Sequence, residues 1–194
     1  ARRFGKDRGR TLREKHLSIG AKINMKNLFS LYPDLPSDPR FRRELQSLAP
    51  QERISHTLFC PMAEIWESHG LKELGRIYCE EFHPACYGGL TSVNLARTQT
   101  QENDAYCSFR VILRPADLPA KLRATCFADF DPDYHEPPYD PQLCLSGKDG
   151  FEMLSIKLYY YLLATAMEQI GEECIPVIGS ALKKLSDETA LILG

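Results

Sequence analysis

The chain has 194 residues, 43% hydrophobic and 26% charged, with a formal net charge of −2. This is the composition of an ordinary globular chain, long enough to bury about 70% of its unfolded surface without disulfides or a structural metal. The balanced charge argues against a whole-chain nucleic-acid reader. The longest apolar stretch, Leu158 to Met167, falls well short of the roughly 20 residues of a membrane span, so no membrane partner is expected. No secretory-type hydrophobic region opens the chain; it begins at Ala1 rather than Met, so an upstream stretch is expected. Seven cysteines without a CxxC pair read as reduced thiols, and the expected setting is cytoplasmic.

Charge is uneven along the chain. Residues 1–53 carry thirteen Lys or Arg against six Asp or Glu, and the remainder eleven against twenty. The basic run Arg2–Arg10 reads as a disordered leader covering 1–10. A helix is predicted from Thr11 to about Tyr32, with Thr11 and Glu14 as a capping box. A short helix around Phe41–Leu48 follows, stopped by Pro50. Arg53–Phe59 reads as a strand, rich in β-branched and aromatic residues. Cys60-Pro61 opens a helix that Gly70 closes, because proline is tolerated at the first helical position. A second helix covers Leu71–Phe82.

Ser92–Thr100 and Tyr106–Leu113 alternate as the strands of a hairpin. Burial of one face predicts a register pairing Leu95 with Val111, Arg97 with Phe109 and Gln99 with Cys107. Residues 115–150 are rich in Pro and Asp and read as a loop or lid. Phe151–Gln169 is apolar on nearly every side, as in a helix buried in a core or an oligomer interface, so a homodimer through 151–169 is an expected assembly. A last helix, from Cys174 to Leu185, carries Ile175, Ile178, Leu182 and Leu185 as a narrow seam. The expected fold class is α+β: a small antiparallel sheet with packed helices over 11–114, an N-terminal helix, and a C-terminal helical extension over 151–194.

Several residues have chemistry to offer. Cys60 stands where a strand meets a helix N-terminus, which favours a thiolate; the alternative is a small buried hydrophobe. Cys79, His83 and Cys86 have the i, i+4, i+7 spacing of one helix face and with Cys60 or Cys107 make a Cys/His metal set. Pro84 breaks that spacing and no CxxC anchors it, so no metal and no cofactor are called for. Glu64, Glu80 and Glu81 are the acids nearest these thiols, and Glu64 or Glu80 is the candidate general base. Arg97, on the predicted inward face, needs a partner: either Glu80 or Glu81, or a substrate carboxylate held in a bidentate pair. Asp129-x-Asp131-x-Asp133 opens like a calcium loop but lacks the glycine and glutamate that the loop requires.

The segments Cys60-Pro61-Met62-Ala63-Glu64, Tyr78-Cys79-Glu80, Ala96-Arg97-Thr98-Gln99-Thr100 and Cys107-Ser108-Phe109-Arg110, in this order and spacing, resemble the L-2-amino-thiazoline-4-carboxylic acid hydrolase family over about residues 52–113. The resemblance implies an α+β fold and hydrolysis of a small cyclic C=N substrate bearing a carboxylate. In that setting Cys60 or Cys79 would attack or shape the pocket, Glu64 or Glu80 would shuttle the proton with His83 beside them, and Arg97 would hold the carboxylate. Thr98, Thr100, Cys107 and Trp66 complete the substrate-binding set. Helical residues 151–194 fall outside the resemblance. A biosynthetic cyclase or isomerase, or a non-catalytic module binding a small ligand, are the alternatives.

Overall fold

In the computed structural model, residues 1–18, 23–26, 40–90, 93–97, 105–123 and 147–193 are described. The chain divides into two compact units, Ala1–Phe151 and Glu152–Gly194. The first is an α+β unit. Its elements are α1 (Arg2–Ser18), β1 (Arg42–Ala49), β2 (Glu52–Phe59), α2 (Pro61–Ser68), α3 (Lys72–Leu90), β3 (Val93–Arg97), β4 (Cys107–Ile112), a 3-10 turn (Pro115–Asp117) and α4 (Ala120–Arg123). The four strands form one antiparallel sheet in the order β1-β2-β4-β3.

The basic N-terminal run is helical, not a disordered leader. Phe4, Gly5, Gly9, Leu12 and His16 are buried at helical spacing along α1. The two glycines let the backbone of α1 lie directly on α3. A Cβ on Gly9 would sit 2.1 Å from the Cys86 carbonyl oxygen, and one on Gly5 would sit 2.5 Å from that of Phe82. Phe4 packs beside the Phe82 ring, and the Arg13 guanidinium donates to the Gly89 carbonyl at 2.6 Å. Thr11 is mid-helix and donates its hydroxyl to the Asp7 carbonyl instead of capping.

Residues 42–49 form a strand, where the sequence over 41–48 predicts a helix. Arg-Arg-Glu-Leu-Gln favours helix by propensity, but a tight turn at Pro50-Gln51 folds the segment back on β2, and ladder pairing overrides that preference. All of β1 is exposed, as an edge strand. Helix α2 follows the prediction closely: Cys60 is its N-cap, Pro61 its first residue, and Gly70, at φ +69°, ends it. Helix α3 runs eight residues past its predicted end and continues through Pro84. Proline forfeits one helical hydrogen bond and crowds the carbonyl four residues back; the close packing of α1 on the stretch that follows holds the helix together.

The hairpin forms, in a different register. Val93 pairs with Val111 and Asn94 with Arg110. A shift then brings Arg97 opposite Ser108 rather than Phe109. The core gathers Leu12, Ile23, Met25, Val111, Leu113, Leu118 and Leu122, with Leu17 and Tyr87 packed against it. Within 115–150 the 3-10 turn and α4 are short regular pieces, and residues 124–146 lie outside the described residues.

The second unit is a helical pair. Helix α5 (Gly147–Ile170) leads into it and α6 (Cys174–Leu193) completes it, eight residues longer than predicted. Gly171, at φ +83°, ends α5, and the Cys174 N–H donates to the Gly171 carbonyl. Along 151–169, Met153, Ile156, Tyr160 and Leu162 are exposed, while Leu154, Leu158 and Tyr161 are half-buried.

Candidate functional site

Directly paired residues of an antiparallel ladder share a face, so the register sorts the sheet into rows. One face carries Arg43, Thr57 and Cys107 in one row and Leu45, Ser55 and Phe109 in the next. The other face carries Glu44, His56 and Ser108, and position 97 pairs into that row. Ser55, Thr57, Cys107 and Phe109 are all buried. Two buried rows holding two hydroxyls and a thiol are unusual for a core face, because each polar group needs a partner once it leaves water. Ser55 accepts from the Arg53 guanidinium at 2.7 Å.

Helix α3 lies against this face through His83 and Tyr87. The His83 ring meets Phe109 edge-on at 5.1 Å and stacks with Tyr87 at 6.1 Å. Phe82 closes on His83 from its own helix at 5.3 Å. Burial among these rings pushes the His83 imidazole down to about 4, and the nearby Arg43 guanidinium, itself over the Phe41 ring at 4.0 Å, adds to the shift. The residue as a whole is half-buried, and its surroundings hold the ring neutral. One turn earlier on α3, Cys79 is buried, and burial raises the phenol of Tyr78 beside it well above its ordinary value.

The arrangement gathers some of the predicted residues and separates others. His83 meets the sheet at Phe109, Cys107 is buried in the neighbouring row of that face, and Cys79 is buried one turn before His83 on α3. Cys60 is partly buried at the β2–α2 junction, with no hydrogen bond from its side chain to the helix it opens. Glu64 is exposed on the first turn of α2. Glu80 is held by Arg76 at 3.0 Å, and Glu81 forms an ion pair with Arg2. Both acids considered as partners for Arg97 thus have cations of their own. Trp66 packs on α3: its indole fills the space a Cβ would need at Gly75 and lies 5.6 Å from the Tyr78 ring. Thr98 and Thr100 lie outside the described residues, as does the side chain of Arg97. Among the described residues, no three His, Cys, Asp or Glu side chains cluster closely enough to hold a metal ion.

Arg43, Ser55 and Thr57 do not stand out in the sequence. The available signal is the Pro50-Gln51 turn between two runs of strand length, which marks a hairpin and puts Arg43 beside Thr57.

A two-layer α+β unit with a neutral histidine between helix and sheet, on a face that also carries buried hydroxyls, a thiol and two arginines, Arg43 and Arg53, has the makings of a small-molecule site. The chain belongs to the L-2-amino-thiazoline-4-carboxylic acid hydrolase family, whose model matches residues 1–111. The match reaches from α1 into β4, well beyond the central region that carries the motifs, and so includes the helix that bears Gly5 and Gly9. Searches of curated proteins and of solved structures find no match.

Proposed function

We propose that the protein hydrolyses a small cyclic C=N compound bearing a carboxylate, at the corner between α3 and the sheet. The observation that carries this reading is His83: a neutral imidazole on α3, against Phe109, within reach of the charge of Arg43. In this reaction, water adds to the amidine-like ring carbon. The imidazole accepts the proton of that water and returns it to the ring nitrogen or sulfur as the carbon–heteroatom bond breaks. A base this weak is poorly matched to neutral pH while the site is empty. A carboxylate bound beside Arg43 offsets the guanidinium's repulsion and raises the proton affinity of His83 toward the working range. In this reading Arg43 takes the carboxylate-binding role expected of Arg97, and the buried Cys79 and Cys107 serve as packing rather than as nucleophiles. We take the setting to be reducing and cytoplasmic, a reading supported by the five free thiols among the described residues.

The test is turnover of L-2-amino-thiazoline-4-carboxylic acid, followed as addition of one water by mass spectrometry. His83→Gln should lower kcat by about 10²-fold or more. Arg43→Ala should act mainly on KM. Parent activity that His83→Gln leaves intact would move the site elsewhere. Binding of the compound without turnover would leave a ligand-binding module instead.

A further inference from the structure

The two helices of the second unit carry matching apolar seams. Along α5, Met153, Ile156, Tyr160, Leu163, Met167 and Ile170 follow a 3-4-3-4-3 spacing. Along α6, Ile175, Ile178, Leu182, Leu185, Thr189 and Ile192 follow the same spacing. That repeat presents one stripe of a helix to a partner helix. Each seam is about 26 Å long at 1.5 Å per residue. The spacing reads identically in both directions, so antiparallel alignment matches all six layers, from Ile170 level with Ile175 to Met153 level with Ile192. Thr189 is the one polar member, and its hydroxyl is satisfied within the helix by the Leu185 carbonyl at 2.8 Å.

Most of both seams is exposed, with Leu163, Met167 and Ile178 half-buried. On α5, Met153, Ile156, Tyr160 and Ile170 are 46–62% exposed; on α6, Ile175, Leu182, Leu185 and Ile192 are 38–83% exposed. The charged pairs Lys183–Asp187 and Lys184–Glu188 fall between the seam positions and leave the stripe clear.

We infer that the second unit pairs with a second copy of this chain, the α5 seam of each receiving the α6 seam of the other. The choice of partner follows from symmetry. Two seams of equal length and the same repeat, joined by a short turn at Gly171, are both covered by a single twofold operation. An unrelated helix would cover one and leave the other in water. The assembly is a four-helix arrangement exchanged between protomers, with its layers set by the heptad repeat. It extends the contact beyond residues 151–169 to the whole of α6, and it does not depend on the reaction proposed above.

Light scattering on the full chain tests this. The expected mass is twice the 22.1 kDa of one chain. Leu185→Lys, in the seam, should return the mass of one chain with helical circular dichroism retained. Val177→Lys, at a residue 69% exposed but off the seam, should leave the dimer intact. If Leu185→Lys loses its helix, Tyr160→Lys probes the same layer from α5. Oxidation of the double variant Leu163→Cys/Leu182→Cys should give a two-chain product that the parent and each single variant lack. A monomeric parent, a dimer indifferent to both seam variants, dissociation by Val177→Lys as readily as by Leu185→Lys, or a cross-link confined to one chain would each overturn the proposal.

Discussion

Two glycines make opposite demands on the same substitution. In a helix interior, alanine in place of glycine is favourable by about 1 kcal/mol. A methyl added at Gly88 on α3 would meet nothing within 4 Å, and the φ there is not positive, so Gly88→Ala should stabilise by up to that amount. At Gly9 the same methyl would lie 2.1 Å from the Cys86 carbonyl oxygen and 3.0 Å from the Gly89 Cα. Those are backbone atoms and cannot swing aside, so α1 must lift from α3. Overpacking of this kind costs about 1–3 kcal/mol. The lift also strains the Arg13 hydrogen bond to Gly89, which contributes about 1 kcal/mol. After the propensity gain, Gly9→Ala should be net destabilising by about 1–3 kcal/mol, some 2–4 °C in Tm per kcal/mol for a chain of this size. Urea unfolding of the two variants at pH 7 reads the difference directly. A Gly9→Ala protein as stable as Gly88→Ala would refute the backbone contact between α1 and α3.

Acid sensitivity should follow from His83. The folded chain holds it neutral down to about 4, whereas the unfolded chain takes up that proton near 6.5, so the stability it supports is complete above 6.5 and is lost as pH falls toward 4. The loss amounts to about 3 kcal/mol, and His83→Gln should flatten denaturant midpoints across that window; an unchanged slope would show that the ring titrates normally. Gly75→Ala should displace the Trp66 indole from its groove on α3 and destabilise by about 1–3 kcal/mol, with a red-shifted emission from this lone tryptophan as its signature. Cys60→Ser should leave thermal stability within about 0.5 kcal/mol, because the thiol makes no capping bond, and a large loss would show that its packing matters.

The parts of the fold legible in the sequence are those whose signal is local. β2, the Cys60-Pro61 helix start and β4 all announce themselves through alternation or a proline at a helix's first position. The rest depends on partners distant in the chain. α1 is hidden because three of its five buried residues, Gly5, Gly9 and His16, are small or polar, and its two glycines carry no hydropathy signal yet bring its backbone directly onto α3. β1 reads as a helix until β2 pairs with it, and with β1 goes Arg43 and the row it shares with Thr57 and Cys107. His83 stands out by residue type, but its Phe109 and Tyr87 neighbours require the sheet to be placed. Arg97 is misplaced for two reasons: alternation fixes which residues of a strand share a face but not the offset, which sets Val93 rather than Leu95 opposite Val111, and it does not foresee the slip between Asn94 and Arg97 that turns Arg97 to the Ser108 row.

The rim of the sheet is guarded against growth. β1 lies in solvent along all eight residues, with Leu45 and Leu48 uncovered, which is ordinarily an invitation for strands of other molecules to add on. Two irregularities in its ladder, at Arg42/Arg43 and Leu45/Ser47, break the strand into pieces too short for an incoming chain to zip along. Arg42, Arg43 and Glu44 add the cost of stripping water from three charges. The strand can therefore stay open, lending an arginine to the His83 corner without becoming a template for fibrils.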